Sequence, residues 1–384
     1  MRIAVIGGGT MGSGIGQIAA THGHQTVIVD SSKDQLKRSK AGLQKILARL
    51  VEKGRLTRDE SVATLDRISF STDIEATSGS GLVVEAIIED LAAKQAVFDQ
   101  IEKHVDSSAI IATNTSSLSV TSVAGSCKEP QRVAGMHFFN PAPVMALVEI
   151  VPGVATDEST INAIMNVARS WGKVPVVVKD TPGFIVNRVA RCFYSESLRI
   201  VDEGLATPAE VDEALRSAGF RMGPFELMDL IGNDINLAVT RSVFAAFHFD
   251  QRYKPSFTQE RLVEAGRLGR KSGSGYFMYG DDAEKPAVDL GSSKAAMIID
   301  RVVAMIINDA IDTVFWGVAS PGDVDIAMTK GVNYPRGPIE WGKEIGYPVI
   351  IERIESLRSR YMEDRYRVSP LLRDLASNQV DFDG

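Results

Sequence analysis

Arg2-Ile3-Ala4-Val5-Ile6 runs straight into Gly7-Gly8-Gly9-Thr10-Met11-Gly12, and no other stretch limits the fold of this chain so tightly. The first five residues read as a short apolar strand. Gly7, Gly9 and Gly12 then form G-x-G-x-x-G, and Ile15, Ile18 and Ala19 recur at helical spacing. A second strand, Gln25-Thr26-Val27-Ile28-Val29, ends in Asp30. Strand, glycine loop, helix, strand and acid make the full dinucleotide-binding pattern; a purely structural glycine turn would not need the flanking parts. The glycines let the backbone turn tightly and approach a pyrophosphate, whose charge rests on the helix N-terminus. Thr10 and Met11 belong to the same cofactor loop. Asp30 would accept hydrogen bonds from ribose hydroxyls and repel a 2′-phosphate, which favours NAD over NADP, although Lys33 is near enough to weaken that preference.

Composition sets the remaining bounds. The chain has 384 residues, enough for two or three domains with their own cores. A net charge of −7 leaves no general basic field for nucleic acid. No apolar run reaches membrane-spanning length, and the N-terminus reads as a strand rather than a signal peptide. Cys127 and Cys192 are too few for a disulfide framework, and no Cys/His cluster has zinc spacing, so no metal is expected. Two reduced thiols suit a cytoplasmic protein.

Asp34 to Arg67 departs from a minimal nucleotide fold and reads as two helices. Leu36, Leu43, Ile46, Leu47 and Leu50 form the apolar stripe of the first. That helix also carries Lys33, Lys37, Arg38, Lys40, Lys45, Arg49 and Lys53, with Arg55 and Arg58 just after, in a chain that is acidic overall. Such a cluster is either a solvated helix face or an anion site for a phosphorylated handle. Leu82 to Glu89 reads as a buried parallel strand with Glu85 and Glu89 at its carboxyl end, where ligands of open α/β sheets bind, and Lys94 follows on the next helix. Ala109 to Thr113 is another strand. It ends in Asn114-Thr115-Ser116-Ser117, small polar groups placed for a nicotinamide; Ser116 or Ser117 could equally cap a helix.

Gly135-Met136-His137-Phe138-Phe139-Asn140-Pro141 and Leu147-Val148-Glu149-Ile150-Val151 read as two strands joined by a turn. His137 and Glu149 are each six residues from Pro143. An antiparallel hairpin centred there places them opposite each other. A carboxylate beside an imidazole orients the ring and fixes its tautomer, which is how a general base is wired; a half-buried structural histidine is the plain alternative. After a strand at Val174 to Lys179, Asp180-Thr181-Pro182-Gly183-Phe184 reads as a capped helix start and a domain boundary. Ile185 to Val201 is then a long helix carrying Asn187 and Arg188.

The C-terminal half repeats itself. Gly204, Pro208, Val211, Asp212 and Ala214 match Gly317, Pro321, Val324, Asp325 and Ala327 at an offset of 113 residues. After a one-residue insertion, Gly223, Pro224 and Glu226 match Gly337, Pro338 and Glu340. Arg188 falls on Arg301, but Asn187 falls on Asp300. The second copy thus keeps scaffold landmarks without the amide. Two tandem all-α domains are expected, at 182–280 and 294–384, joined by a polar linker over 281–293. Ile298, Val302, Met305 and Ile306 are expected to pair the copies.

Taken together, Gly7 to Gly12, Val84 to Glu89, Asn114 to Ser117, His137 to Pro141, Leu147 to Ile150, Asp180 to Arg188 and Gly269 to Gly273 resemble the L-3-hydroxyacyl-coenzyme A dehydrogenase family over nearly the whole chain. The resemblance implies a Rossmann-type α/β N-terminal domain, residues 1–181, with a helical-hairpin insertion. It implies NAD as cofactor and an acyl-CoA substrate. His137 would be the catalytic base, Glu149 its partner, and Ser116 and Asn187 the contacts near the reacting carbon. Asp30, Glu89, Lys94, Asn140 and Lys271 fall on cofactor positions, together with Ser116 and, beside it, Asn114. The basic helix would serve the CoA handle, with Lys45, Arg49 and Lys53 as candidates. The pattern is similar to the 3-hydroxybutyryl-CoA type. The second helical copy also occurs in members acting on 3-hydroxyadipyl-CoA, which leaves that substrate, or a non-CoA hydroxy acid, as alternatives. A non-catalytic NAD-binding protein is the reading from another class. Monomer and homodimer both remain open.

Overall fold

The strand at Arg2–Ile6 (β1) buries Ile3 and Val5 in one core layer and Ala4 and Ile6 in another. Both faces of the strand are covered, as in a sheet sandwiched between helices. In the computed structural model, which describes residues 1–280, 283 and 286–382, the chain divides into two compact units, Met1–Thr181 and Pro182–Gly384.

The first unit is built on eight strands: β1, β2 (Gln25–Val29), β3 (Ile68–Ser71), β4 (Leu82–Glu85), β5 (Ile110–Thr113), β6 (Val133–Phe138), β7 (Leu147–Pro152) and β8 (Val174–Val177). Their order is 3-2-1-4-5-6-7-8, and every pairing is parallel except that of β6 with β7. The chain moves outward from β1 to β3, then returns to place β4 on the other side of β1. That reversal opens a crevice at the carboxyl ends of β1 and β4. Its helices are α1 (Thr10–Thr21), α2 (Lys33–Glu52), α3 (Arg58–Asp66), α4 (Leu91–His104), α5 (Val120–Ala124) and α6 (Glu158–Ser170). The inserted pair α2 and α3 is capped locally, by Ser32 on Gln35 N and by a Thr57–Glu60 capping box. Gly7 has φ +105°, and a Cβ there would lie 2.5 Å from the Ala86 carbonyl oxygen. A Cβ on Gly12 would lie 1.9 Å from the Gly7 carbonyl oxygen, so the tight turn admits no side chain at either place.

Four local expectations are corrected. β4 stops at Glu85 rather than Glu89, because its neighbours β1 and β5 end at Ile6 and Thr113 and leave no ladder beyond. Ile88 consequently stands exposed beside the crevice. In α2, Leu36, Leu43 and Leu47 enter the core, but Ile46 and Leu50 face an open groove. Ser119, and neither Ser116 nor Ser117, caps α5. Asp180 caps no helix after it; its carboxylate accepts from Ser119 Oγ and from the backbone N–H of Val120 and Thr121. The following helix starts only at Val186, after Gly183 and Phe184 take positive φ.

The second unit consists of α7 (Val186–Asp202), α8 (Pro208–Ser217), α9 (Pro224–Ile231), α10 (Asn233–Ala246), α11 (Phe257–Glu264), α12 (Ser292–Phe315), α13 (Pro321–Gly331), α14 (Pro338–Ile345), α15 (Tyr347–Tyr361) and α16 (Pro370–Ala376). The order α7 to α11 is repeated by α12 to α16. The linker expected over 281–293 falls partly on residues 281, 282, 284 and 285, which lie outside the described residues; α12 begins at Ser292. Helix α12 packs on α7, with Ile298, Val302, Met305 and Ile306 all buried. The contact is reciprocal. Arg252 meets Asp309 at 2.9 Å, and at the equivalent positions of the other copy Arg365 meets Glu196 at 2.6 Å. Tyr253 donates to Asp309 just as Tyr366 donates to Glu196. Residue i of one copy meets j of the other, and j meets i, which is the pattern of an isologous two-fold interface.

Candidate active site

The site residues of the first unit gather at the carboxyl ends of β1, β4, β5 and β6. His137 and Glu149 face each other in the β6–β7 register, with Nδ1 2.7 Å from Oε2. Glu149 is fully buried and His137 nearly so. A carboxylate only accepts, so Nδ1 carries the hydrogen, and in the neutral ring Nε2 is then the acceptor. The Phe139 ring lies 4.5 Å from the imidazole, centroid to centroid. The backbone N–H of Phe138 donates to Asn114 Oδ1 at 2.8 Å, which ties the strand beside His137 to the loop after β5.

That loop carries Ser116. Glu89 holds it from below: one carboxylate oxygen accepts from Thr115 Oγ1 (2.6 Å), Ser116 N (2.9 Å), Ser117 N (3.0 Å) and Ser117 Oγ (2.9 Å). Burial by itself would raise the Glu89 carboxyl. The Thr115 hydroxyl, Lys94 and the two serine contacts outweigh it and hold the group below its usual range. Lys94, itself buried, pairs with Glu85 at 2.6 Å and reaches Glu89 at 3.3 Å.

Two hollows flank these residues. A cleft of about 660 Å³ over the crevice is lined by Gly7, Gly9, Asp30, Gln35 and Ile87, among others. Asp30 is fixed at its edge by accepting from Gly8 N (2.7 Å) and Ser32 N (2.9 Å). The cleft fits a dinucleotide on two counts. Helix α1 has Gly9 as its N-cap, with no side chain capping its N–H groups, and a Cβ built on Gly9 meets nothing within 4 Å, so an anion can reach them. Thr10 lines the neighbouring hollow, while the Met11 side chain packs on the core.

That neighbour is a groove of about 970 Å³ between α2 and the Asn140–Val144 turn. It meets the cleft at Gly9 and Gln35, which line both. Arg38, Arg49, Lys53 and Arg55 stand along it. Lys45 is exposed and is not among the lining residues, whereas Arg38 and Arg55, named only within the wider basic cluster, and Gln35, not named at all, line the groove. The signal was present: positions 35, 38, 42, 46, 49 and 53 recur every three or four residues and mark one face of α2. Lys33, Lys37 and Lys40 lie on another face, beside β3. The turn itself is anchored by Lys173, whose ammonium donates to the carbonyls of Ala142 (2.6 Å) and Met145 (2.7 Å).

Asn187 and Lys271 belong to the second unit. Asn187 stands in the first turn of α7, and Lys271 is paired with Asp234 at 2.6 Å. Its loop is held by Asp229, a buried carboxylate that accepts from Tyr276 N and Phe277 N.

Known proteins share this construction. Residues 2–181 match the family model described as 3-hydroxyacyl-CoA dehydrogenase, NAD binding domain. Residues 183–279 and 297–380 each match the C-terminal domain of the same family. The 3-hydroxyadipyl-CoA dehydrogenase of Escherichia coli (strain K12) is 40% identical, with 97% of both chains aligned. The 3-hydroxybutyryl-CoA dehydrogenase of Clostridioides difficile is 39% identical over 73% of this chain and 99% of its own. The crystal structure of 3-hydroxybutyryl-CoA dehydrogenase from Escherichia coli K12 matches with a TM-score of 0.94 over 98% of each chain, at 39% identity. With a sheet and a twice-present helical part that match the family's two domain models, and a relative aligned over 97% of its length, the chain belongs to the 3-hydroxyacyl-CoA dehydrogenase family of NAD-dependent oxidoreductases.

Proposed function

We propose that the protein interconverts an (S)-3-hydroxyacyl-CoA and its 3-oxoacyl-CoA. The observation that carries this reading is the buried His137–Glu149 pair, which leaves Nε2 as an acceptor beside the Ser116 loop. The cleft would hold NAD, which when bound would supply the acceptor for the hydride that leaves C3. His137 Nε2 takes the substrate hydroxyl proton, and Glu149 lies where the imidazolium charge will need it. Ser116 donates a hydrogen bond to the substrate oxygen and holds C3 in line for transfer. Asp30 receives the adenosine ribose, and the first turn of α1 receives the pyrophosphate. Arg38, Arg49, Lys53 and Arg55 hold the CoA phosphates, with the pantetheine laid along the groove. The roles of Asn187 and Lys271, on the second unit, rest on the family motif alone. Cytoplasmic residence belongs to the same proposal; it rests on the unpaired thiols Cys127 and Cys192 and is tested by cell fractionation.

Two acyl groups compete. The 3-hydroxybutyryl group follows from the motif pattern. The 3-hydroxyadipyl group is supported by the relative of that name, which aligns over 97% of this chain, but coverage does not separate the two, because the Escherichia coli structure named for 3-hydroxybutyryl-CoA covers 98%. Initial rates with NADH and acetoacetyl-CoA, 3-oxoadipyl-CoA and the corresponding free acids separate the cases. Turnover confined to the CoA thioesters is expected. Equal rates with the free acids would remove the CoA reading, and no NADH oxidation with any of them would remove the enzyme reading.

A further inference from the structure

Beneath the Ser116 loop a ring of buried polar groups closes on Glu85. This carboxylate ends β4 and is fully buried. Its Oε1 accepts from Lys94 Nζ at 2.6 Å and from Ile87 N at 2.7 Å, and its Oε2 accepts from Thr113 Oγ1 at 2.7 Å. Thr113 Oγ1 in turn accepts from Thr115 N at 3.1 Å. Lys94 reaches onward to Glu89, whose other oxygen grips Thr115, Ser116 and Ser117. Glu85, Lys94, Glu89, Thr115 and Thr113 therefore form one circuit that joins the ends of β4 and β5 and the start of α4.

Lys94 is a single ammonium shared by two carboxylates. It stands closer to Glu85 than to Glu89, 2.6 against 3.3 Å. At short range in a dry interior that difference sets where the charge is spent. With Glu85 absorbing Lys94, the Glu89 oxygen that faces the loop is left to the serine N–H groups. A neutral side chain at position 85 leaves Lys94 with Glu89 as its ionised partner. Glu89 is then drawn toward the ammonium and away from Ser116 and Ser117.

We propose that Glu85 is a positioning residue of the reaction, which sets the Ser116 hydroxyl by holding Lys94 off Glu89 and by anchoring Thr113. The inference rests on the reading in which Ser116 donates to the reacting oxygen. It concerns turnover and not acyl-CoA affinity, because the groove cations lie on α2 and none of them joins the circuit.

The test is a double-mutant cycle with Glu85→Gln and Ser116→Ala, with kcat and KM measured for acetoacetyl-CoA, and NADH binding and melting temperature followed in parallel. Glu85→Gln should lower kcat by about tenfold or more and change KM by less than about threefold. In the Ser116→Ala background the same substitution should cost less than about threefold in kcat, since its route is already cut. Full kcat in Glu85→Gln, or effects that simply multiply, overturns the proposal. Should Glu85→Gln fail to fold, Thr113→Val cuts the anchoring arm while keeping the Glu85–Lys94 pair. It should show the same coupled loss, and full kcat there overturns the proposal. If Ser116→Ala itself keeps full turnover, the reading of the site fails and the proposal with it. A normal Glu85→Gln beside an impaired Ser116→Ala overturns the proposal alone.

Discussion

At the residue scale the proposed chemistry depends on one imidazole held by one carboxylate. General-base catalysis is worth roughly 10²–10⁴ in rate. His137→Gln should therefore lose at least about 10² in kcat, while NADH still binds, as read by nucleotide fluorescence. Glu149→Gln keeps the shape but presents an amide to Nδ1, which frees the wrong tautomer. It should lose most of its turnover with NADH binding intact, and unfolding of that variant would mark the pair as structural. Lys173 offers a prediction in pH. Burial pushes its ammonium from the ordinary 10.5 down to about 8. Between these values the unfolded chain binds a proton that the folded chain does not, so the native protein gains stability as pH rises across the window. Lys173→Met lacks this titration and should fall further behind the native protein from about pH 8 toward 10.5. Urea unfolding at both ends checks it, and a constant gap contradicts it. The His137–Glu149 partnership was legible because two strands and a turn with Pro143 at its centre impose one register. Lys173 was not, because its partners are backbone carbonyls 28 and 31 residues earlier, and a carbonyl leaves no mark on residue type.

At the element scale, α2 shows what a periodicity alone leaves open. Its apolar stripe and its cations were both evident, but a stripe has a width, and Ile46 and Leu50 lie on the edge that opens to the groove. The cations divide between two faces of the same helix. Replacing Arg49 and Lys53 together by alanine should raise KM for acetoacetyl-CoA by about tenfold with kcat little changed, and the effect should shrink in salt, because exposed charges are screened. Replacing Lys37 should do neither. In the second unit the repeated aspartates Asp212 and Asp325 each accept two backbone N–H bonds at the start of α9 and α14. The repeated glycines lie against them: a Cβ on Gly223 or Gly337 would come within 2.3 Å or 2.2 Å of the aspartate. Gly223→Ala and Gly337→Ala should each cost at least about 2 kcal/mol, read as a lower melting temperature. A pair of silent substitutions would mean that these turns yield more easily than their contacts imply.

At the scale of the whole molecule, the C-terminal half covers itself. The reciprocal Arg252–Asp309 and Arg365–Glu196 pairs, with the apolar face of α12 laid on α7, join the two copies into one compact unit. Removing residues 294–384 would strip Arg252 and Arg188 of their carboxylates and expose the face of α7. The truncated protein should dimerise or aggregate, as light scattering would show; a soluble monomer would contradict the pairing. Much of this protein was determined by its sequence alone. The dinucleotide sheet, the facing of His137 and Glu149, the duplication and the single copy of the Asn187 motif all rest on local spacing, and local spacing is written in consecutive residues. Only the tertiary structure decided where β4 ends, which helix start Asp180 serves, which cations share the groove with Gln35, and that Glu85, Lys94 and Glu89 close one circuit. Those outcomes depend on which neighbour supplies a hydrogen-bond partner or a counter-charge, and that neighbour is chosen by packing between segments far apart in the chain.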